Sequence, residues 1–273
     1  MIHTLVERLP LDWLQYEFMQ RALCAIILLA PLFAILGCLV INSQMAFFAD
    51  AIGHSALTGI AVGVLAGLEQ PLWAMLLCAI VLAVALAWLR YLQLAPGDAL
   101  IGLMVSFTVA LGVVILSRQG GFQRYTRYLV GDILTITPTD LYWSALLTFA
   151  VLLSLGWKYN HIVVMTLHRP LAASRGVRVW ATDVLFSTLV AISVTLSIAW
   201  MGLLVINSLI ILPAASARNL ARSAVSYVWL AVVISVTAGV SGVIVSYYLS
   251  TATGATIVLC AMALFLLSTL LRR

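Results

Sequence analysis

Long apolar runs alternate with short polar joints along the whole chain. The runs occupy roughly 22 to 41, 51 to 68, 72 to 89, 99 to 117, 139 to 157, 180 to 200, 202 to 216, 226 to 249 and 255 to 271. About 20 apolar residues cross a hydrocarbon core as a helix, so the pattern predicts nine transmembrane helices. The expected fold class is all-α, a polytopic membrane protein with one transmembrane domain over residues 1–273. The seventh run, "GLLVINSLIILPA", is followed closely by Arg218 and Arg222. It reads as a broken or partly irregular segment, which lipid tolerates only when protein buries it.

Two joints are too long to be turns. Residues 118 to 138 contain the patch "YLVGDILTI", suited to a surface helix. Residues 158 to 179, "KYNHIVVMTLHRPLAASRGVRV", contain a small-residue helix, "RPLAASRG", that Gly176 can end with a left-handed cap. At the N-terminus, residues 1–21 form an interfacial segment, in which "LDWLQYEFMQR" mixes aromatic and charged positions as a surface helix does.

Composition agrees with the pattern. An ordinary soluble domain carries about 25% charged residues, whereas this chain is 64% hydrophobic and 8% charged. Glu7, Asp12 and Glu17 precede the first apolar run, unlike the basic start of a cleavable signal. Cys24, Cys38, Cys78 and Cys260 lie far apart inside apolar runs, which points to packing and away from a disulfide framework or a thiolate site. The net charge of +5 is spread over many short loops, so positive-inside topology accounts for it and nucleic acid does not.

Orientation follows from the same charges. With Arg272 and Arg273 cytoplasmic, nine alternating spans place Arg90, Lys158, Arg169, Arg175, Arg178, Arg218 and Arg222 on the same side. Arg8, Arg21, Arg118, Arg124 and Arg127 fall on the other, the minority of the 14 basic residues. The joint at 158–179 is therefore expected inside and the N-terminus outside.

Little enzymatic chemistry is available. There is no GxxxxGK[ST] loop, and Lys158 is the only lysine, so the chain has no P-loop with which to hydrolyse ATP. HExxH is absent, and His3, His161 and His168 fall in predicted loops. What stands out is "MAFFADAIGHSALTG", residues 45 to 59. An Asp near a span centre costs about 2.5–3.5 kcal/mol on insertion scales, and Asp50 and His54, four residues apart, share one helix face. Carboxylate and imidazole suit Zn²⁺, Mn²⁺ or Fe²⁺. An equally bland alternative makes Asp50 an N-cap and His54 a packed, hydrogen-bonded residue. Asn42, Ser43 and Gln44 read as a polar turn, Asp98 in "APGDALIG" as a helix start, and Gly59, Gly63 and Gly67 as a close-packing step. Asn207 is a candidate either to line a pathway or to bond helix to helix.

Three stretches in order, "MAFFADAIGHSALTGIAVG", "YLVGDILTITPTDL" and "GLLVINSLIILPAASARNLARS", closely resemble the ABC-3 family of permeases from zinc and manganese ABC importers. The resemblance spans about 20 to 270. It implies a fold similar to the cobalamin and siderophore importers without their first span. It makes Asp50 and His54 metal-pathway residues, and residues 167 to 178 a cytoplasmic coupling helix for a separate ATPase, with Arg169, Ala172, Ala173, Arg175 and Gly176 at the contact. It further implies a second permease copy, identical or a paralogue, an extracytoplasmic metal-binding protein, and a bacterial inner membrane. No cofactor is expected on the chain itself; the divalent metal ion, zinc or manganese, is the substrate. Arg118, Arg124 and Arg127 on the outer side are candidate docking residues for the binding protein. Many relatives carry basic residues where this chain has Asn42, Ser43 and Gln44. The rivals are a stand-alone ion-coupled transporter, which needs carboxylates in the bilayer beyond Asp50, and a non-transporting assembly protein.

Overall fold

A computed structural model describes residues 12–68, 71–117 and 132–271. Its helices are α1 (Glu17–Asn42), α2 (Phe48–Leu65), α3 (Leu72–Tyr91), α4 (Gly97–Ser117), α5 (Pro138–Leu167), α6 (Arg169–Ser174), α7 (Val179–Met201), α8 (Leu203–Leu220), α9 (Ala224–Leu249) and α10 (Thr253–Leu270). Among the described residues, nine helices, all but α6, are long and apolar enough to cross a membrane.

α1 and α2 are the most enclosed, and α4, α5 and α10 the least. α1 lies centrally, against α5, α8 and α9, while α2 packs on α3 and α4 and α7 joins the two groups through α3 and α5. Small residues permit the closest approaches. A Cβ on Gly59 would stand 2.4 Å from the Met75 Cα of α3, and one on Gly63 3.1 Å from the Ala74 methyl. Gly67, expected to continue that step, instead takes φ +70 with open space around it and ends α2.

Helix ends are set by local chemistry. Thr137 and Asp140 form a capping box at α5, with Pro138 in the first turn, and Ser223 and Ser226 form another at α9. The α7–α8 joint is a single residue, Gly202, at φ 78 and ψ 157, where a side chain is strongly disfavoured.

Several expectations change. α5 does not stop near 157 but runs to Leu167, so His161 is helical and His168 is the cap of the next helix. Ile162 and Met165 continue a buried face across the polar stretch, and no Gly or Pro interrupts it before Pro170. α8 is unbroken through Pro213 to Leu220. Proline removes one backbone donor, and neighbouring helices enclose the site, with Pro213 itself buried. Within 12–21 there is no separate surface helix, only a 3₁₀ turn at Asp12–Gln15 followed by α1, whose Arg21 pairs with Glu17 at 2.5 Å. The described part of "YLVGDILTI" is likewise a 3₁₀ turn, Ile133–Thr135, capped by the Asp132 carboxylate and anchored by buried Ile133.

Candidate functional site

α6 defines one end of the bundle, the inner end by the charge bias of the loops. Alternation then puts the α7–α8 joint, the α9–α10 joint and the turn at Asp132 at the outer end. Tyr16, before α1, meets Tyr247 near the end of α9 with ring centroids 6.0 Å apart, so α1 starts at the outer end and runs inward. α2 begins after a tight reversal, with Gln44 left-handed at φ 54 and Met45 and Phe48 fully buried.

Phe47 occupies the N-cap position of α2 and Asp50 lies inside its first turn, so the carboxylate is not a cap. Its oxygens go elsewhere. Oδ2 lies 3.5 Å from His54 Nε2, and Oδ1 accepts a 2.8 Å hydrogen bond from Asn207 Nδ2. The i,i+4 spacing delivers the first pairing, and the crossing of α2 with α8 delivers the second. Both acidic and basic side chains remain open, 39% exposed for Asp50 and 38% for His54. Asn207 Oδ1, in contrast, is buried and has no hydrogen-bond partner.

These three residues form the floor of a cavity of about 730 Å³. Leu203, Leu204, Asp132, Leu134 and the α9–α10 joint from Thr251 to Ala255 make its walls. Those walls come from outer-end segments, so the cavity opens outward. The floor lies about 6 Å along α8 from its outer end, at 1.5 Å per residue from Leu203 to Asn207. Such a site offers a carboxylate and an imidazole to a borderline divalent ion, with the buried amide oxygen of Asn207 behind them. Among the described residues no cluster of three or more His, Cys, Asp or Glu forms within the one chain.

At the inner end, α6 is a one-and-a-half-turn helix whose N-terminus is capped by His168, with Nδ1 accepting from Leu171 N at 3.2 Å. Gly176 follows at φ 76, as its place in the sequence requires. Ala173, Arg175 and Gly176 face outward. Ala172 is fully buried, and Arg169 reaches into the protein to pair with Asp183. Arg118, Arg124 and Arg127 lie outside the described residues.

Asp183 is the residue that reading the sequence missed. It sits near the start of α7 with its side chain 2% exposed, one oxygen held by Arg169 and the other 3.1 Å from Arg90 Nη1. The signal was present, because an Asp inside the apolar run at 180 to 200 demands a partner as Asp50 does. The partner lies 93 residues away on α3, and spacing alone does not reveal it. A second cavity, about 740 Å³, opens on this side between Asn42–Gln44, the α3–α4 joint and the α5–α6 joint. The reversal carrying Met45 and Phe48 thus stands between an outer and an inner cavity.

The family model for the ABC 3 transport family matches residues 15–272. The high-affinity zinc uptake system membrane protein ZnuB of Haemophilus influenzae is 33% identical over 258 residues, covering 93% of this chain and 97% of that one. The manganese transport system membrane protein MntC of Halalkalibacterium halodurans is 27% identical, covering 93% and 87%. Among solved structures, PsaBC from Streptococcus pneumoniae in complex with Fab superposes with a TM-score of 0.79 at 26% identity, covering 98% of this chain and 95% of that chain.

Proposed function

Because the chain belongs to the ABC 3 transport family, a family of membrane transport subunits and not of enzymes, we propose that it forms the path of an ATP-driven importer of divalent transition-metal ions, zinc or manganese and by the same chemistry iron. The observation that carries this reading is the Asp50–His54 pair with Asn207 at the floor of the outward cavity. An ion entering from outside exchanges waters for two strong donors, the Asp50 carboxylate and the His54 imidazole. That replaces part of its hydration without a closed tetrahedral cage, as a site that must release its ion requires. A second copy of the chain, identical or a paralogue, would bring a second pair toward a shared path.

ATP is hydrolysed by a separate subunit, seated on the exposed edge of α6 at Ala173, Arg175 and Gly176. The ion is delivered by an extracytoplasmic binding protein, with Arg118, Arg124 and Arg127 as its candidate charge contacts. The membrane is the bacterial inner membrane, and the exposed aromatic and aliphatic faces of α4, α5 and α10 meet its lipid or the second copy. Stand-alone ion coupling has little to work with, because Asp183 is already neutralised by two arginines, which leaves Asp50 as the open carboxylate of the cavity floor.

The test is uptake of labelled Zn²⁺ or Mn²⁺ into vesicles holding the whole transporter. Asp50→Ala/His54→Ala should lower it by at least about 100-fold, on the order of 3 kcal/mol at 1.4 kcal/mol per decade, with assembly on the ATPase retained. Wild-type uptake by that variant removes both residues from the path.

A further inference from the structure

The reversal between α1 and α2 stands between the outer and the inner cavity, with Met45 and Phe48 fully buried in it, so its displacement would join the two. Its own hydrogen bonds are local: Ser43 N to Leu39 O, Gln44 N to Ile41 O, Met45 N to Val40 O, Phe48 N to Met45 O. Arg90 adds the long-range bonds, donating from Nη2 to Ser43 O at 3.1 Å and from Nη1 to Met45 Sδ at 2.5 Å. The same guanidinium holds Asp183 through Nη1 at 3.1 Å, and Asp183 holds Arg169, a residue of α6 itself. Gln44 adds a further mark of a movable joint. It is a non-glycine residue in the left-handed region, which costs about 1–2 kcal/mol, and such strain persists where surroundings enforce it.

We infer that Arg169, Asp183 and Arg90 are positioning residues that transmit displacement of α6 to the α1–α2 reversal and so to the Asp50/His54 floor. This rests on the reading of α6 as the ATPase seat. Each link is a charge-assisted hydrogen bond from one element to the next, α6 to α7, α7 to α3, and α3 to the end of α1. The geometry requires arginine at position 90. Two donors of one planar fork serve two acceptors at once, and a lysine ammonium on its flexible stem cannot hold both in fixed relation. A small shift of α6 therefore reaches Ser43 O without spreading through the apolar core, where close packing favours discrete rearrangement.

Two variants test the link in the reconstituted transporter, reading basal ATP hydrolysis, metal-stimulated hydrolysis and Zn²⁺ moved per ATP. Arg90→Met/Asp183→Leu replaces the buried pair by apolar groups, a change that membrane interiors and protein cores accept, and leaves Arg169, 30% exposed, free to turn to water. It should assemble with the ATPase and hydrolyse ATP within about twofold of wild type, while Zn²⁺ moved per ATP falls by at least about tenfold. Arg90→Lys keeps the charge for Asp183 and loses the fixed second donor, so the same ratio should fall with assembly intact. A wild-type ratio in Arg90→Lys, or in a folded double variant, overturns the inference. Ala173→Trp separates it from the reading beneath. If the outward face of α6 seats the ATPase, that bulk uncouples hydrolysis from uptake even with the three links intact; if it transports normally, α6 is not the seat and the inference falls with it.

Discussion

Two polar clusters lie inside this apolar bundle, and they are built in opposite ways. Around Asp183 every strong group is spent: each carboxylate oxygen meets one guanidinium, and Arg90 gives its remaining terminal nitrogen to a backbone carbonyl. Around Asp50 groups are left over. Its carboxylate faces His54 at 3.5 Å, longer than a good hydrogen bond, both side chains open into a cavity, and Asn207 holds an acceptor with nothing to accept. A buried polar cluster that is fully paired holds elements in place, and one with spare acceptors is poised to take a cation. Counting charged residues in spans does not separate them; counting unmet valences does.

The sharpest way to break the contrast is to delete each carboxylate. Asp183→Ala leaves two arginines facing each other in a low-dielectric interior and should cost about 3–5 kcal/mol, seen as a large fall in thermal stability in detergent. Asp50→Ala removes a half-exposed group with one good hydrogen bond and should shift stability by less than about 1 kcal/mol, though uptake collapses. Equal stability losses would mean that the two clusters are both structural.

Protonation sharpens it next. His54 binds a metal only as neutral imidazole, and an ordinary histidine titrates near pH 6.5. Acidification therefore removes the binding form, and uptake at limiting metal should fall steeply between pH 7.5 and pH 5.5, with His54→Gln flattening the profile. A smaller effect is expected at Asn207. Asn207→Leu removes the spare oxygen and should lower uptake about fivefold, whereas Asn207→Asp supplies a stronger donor and should slow release, lowering turnover while tightening binding. The smallest concerns the outer loop: Arg118, Arg124 and Arg127 all changed to Glu should weaken binding-protein affinity about threefold or more at low salt and less at high salt. Unchanged affinity and salt slope would remove that cluster from docking.

How much of this could be read from residues alone follows the range of the forces involved. All nine spans were legible, because an apolar run near 20 residues long has few alternatives in lipid. The Asp50–His54 pairing was legible because four residues on a helix fix it. Asn207 donating to Asp50 bridges 157 residues and follows only from how α2 crosses α8, so the sequence left open whether Asn207 bonds or lines the path; it bonds helix to helix and lines the outer cavity. The helical stretch 158–167 was hidden because polar residues there resemble a loop, while the buried face of Ile162 and Met165 is visible only with the packing known. Asp183 was passed over at a span edge, where an acid often caps a helix. Its side chain instead points into the bundle.

The length of α5 has a consequence of its own. Trp157, 83% exposed, with the Lys158 ammonium 5.2 Å from its ring centroid, marks where this helix leaves the hydrocarbon. From there to Leu167 it continues for about 15 Å at 1.5 Å per residue, which carries α6 through a headgroup layer about 5–7 Å deep and about one Debye length, roughly 8 Å at physiological salt, beyond it. The surface potential of the bilayer has fallen to about a third at that height. Arg175 and its neighbours therefore feel the anionic lipid content of the membrane much less than a residue at the headgroups does.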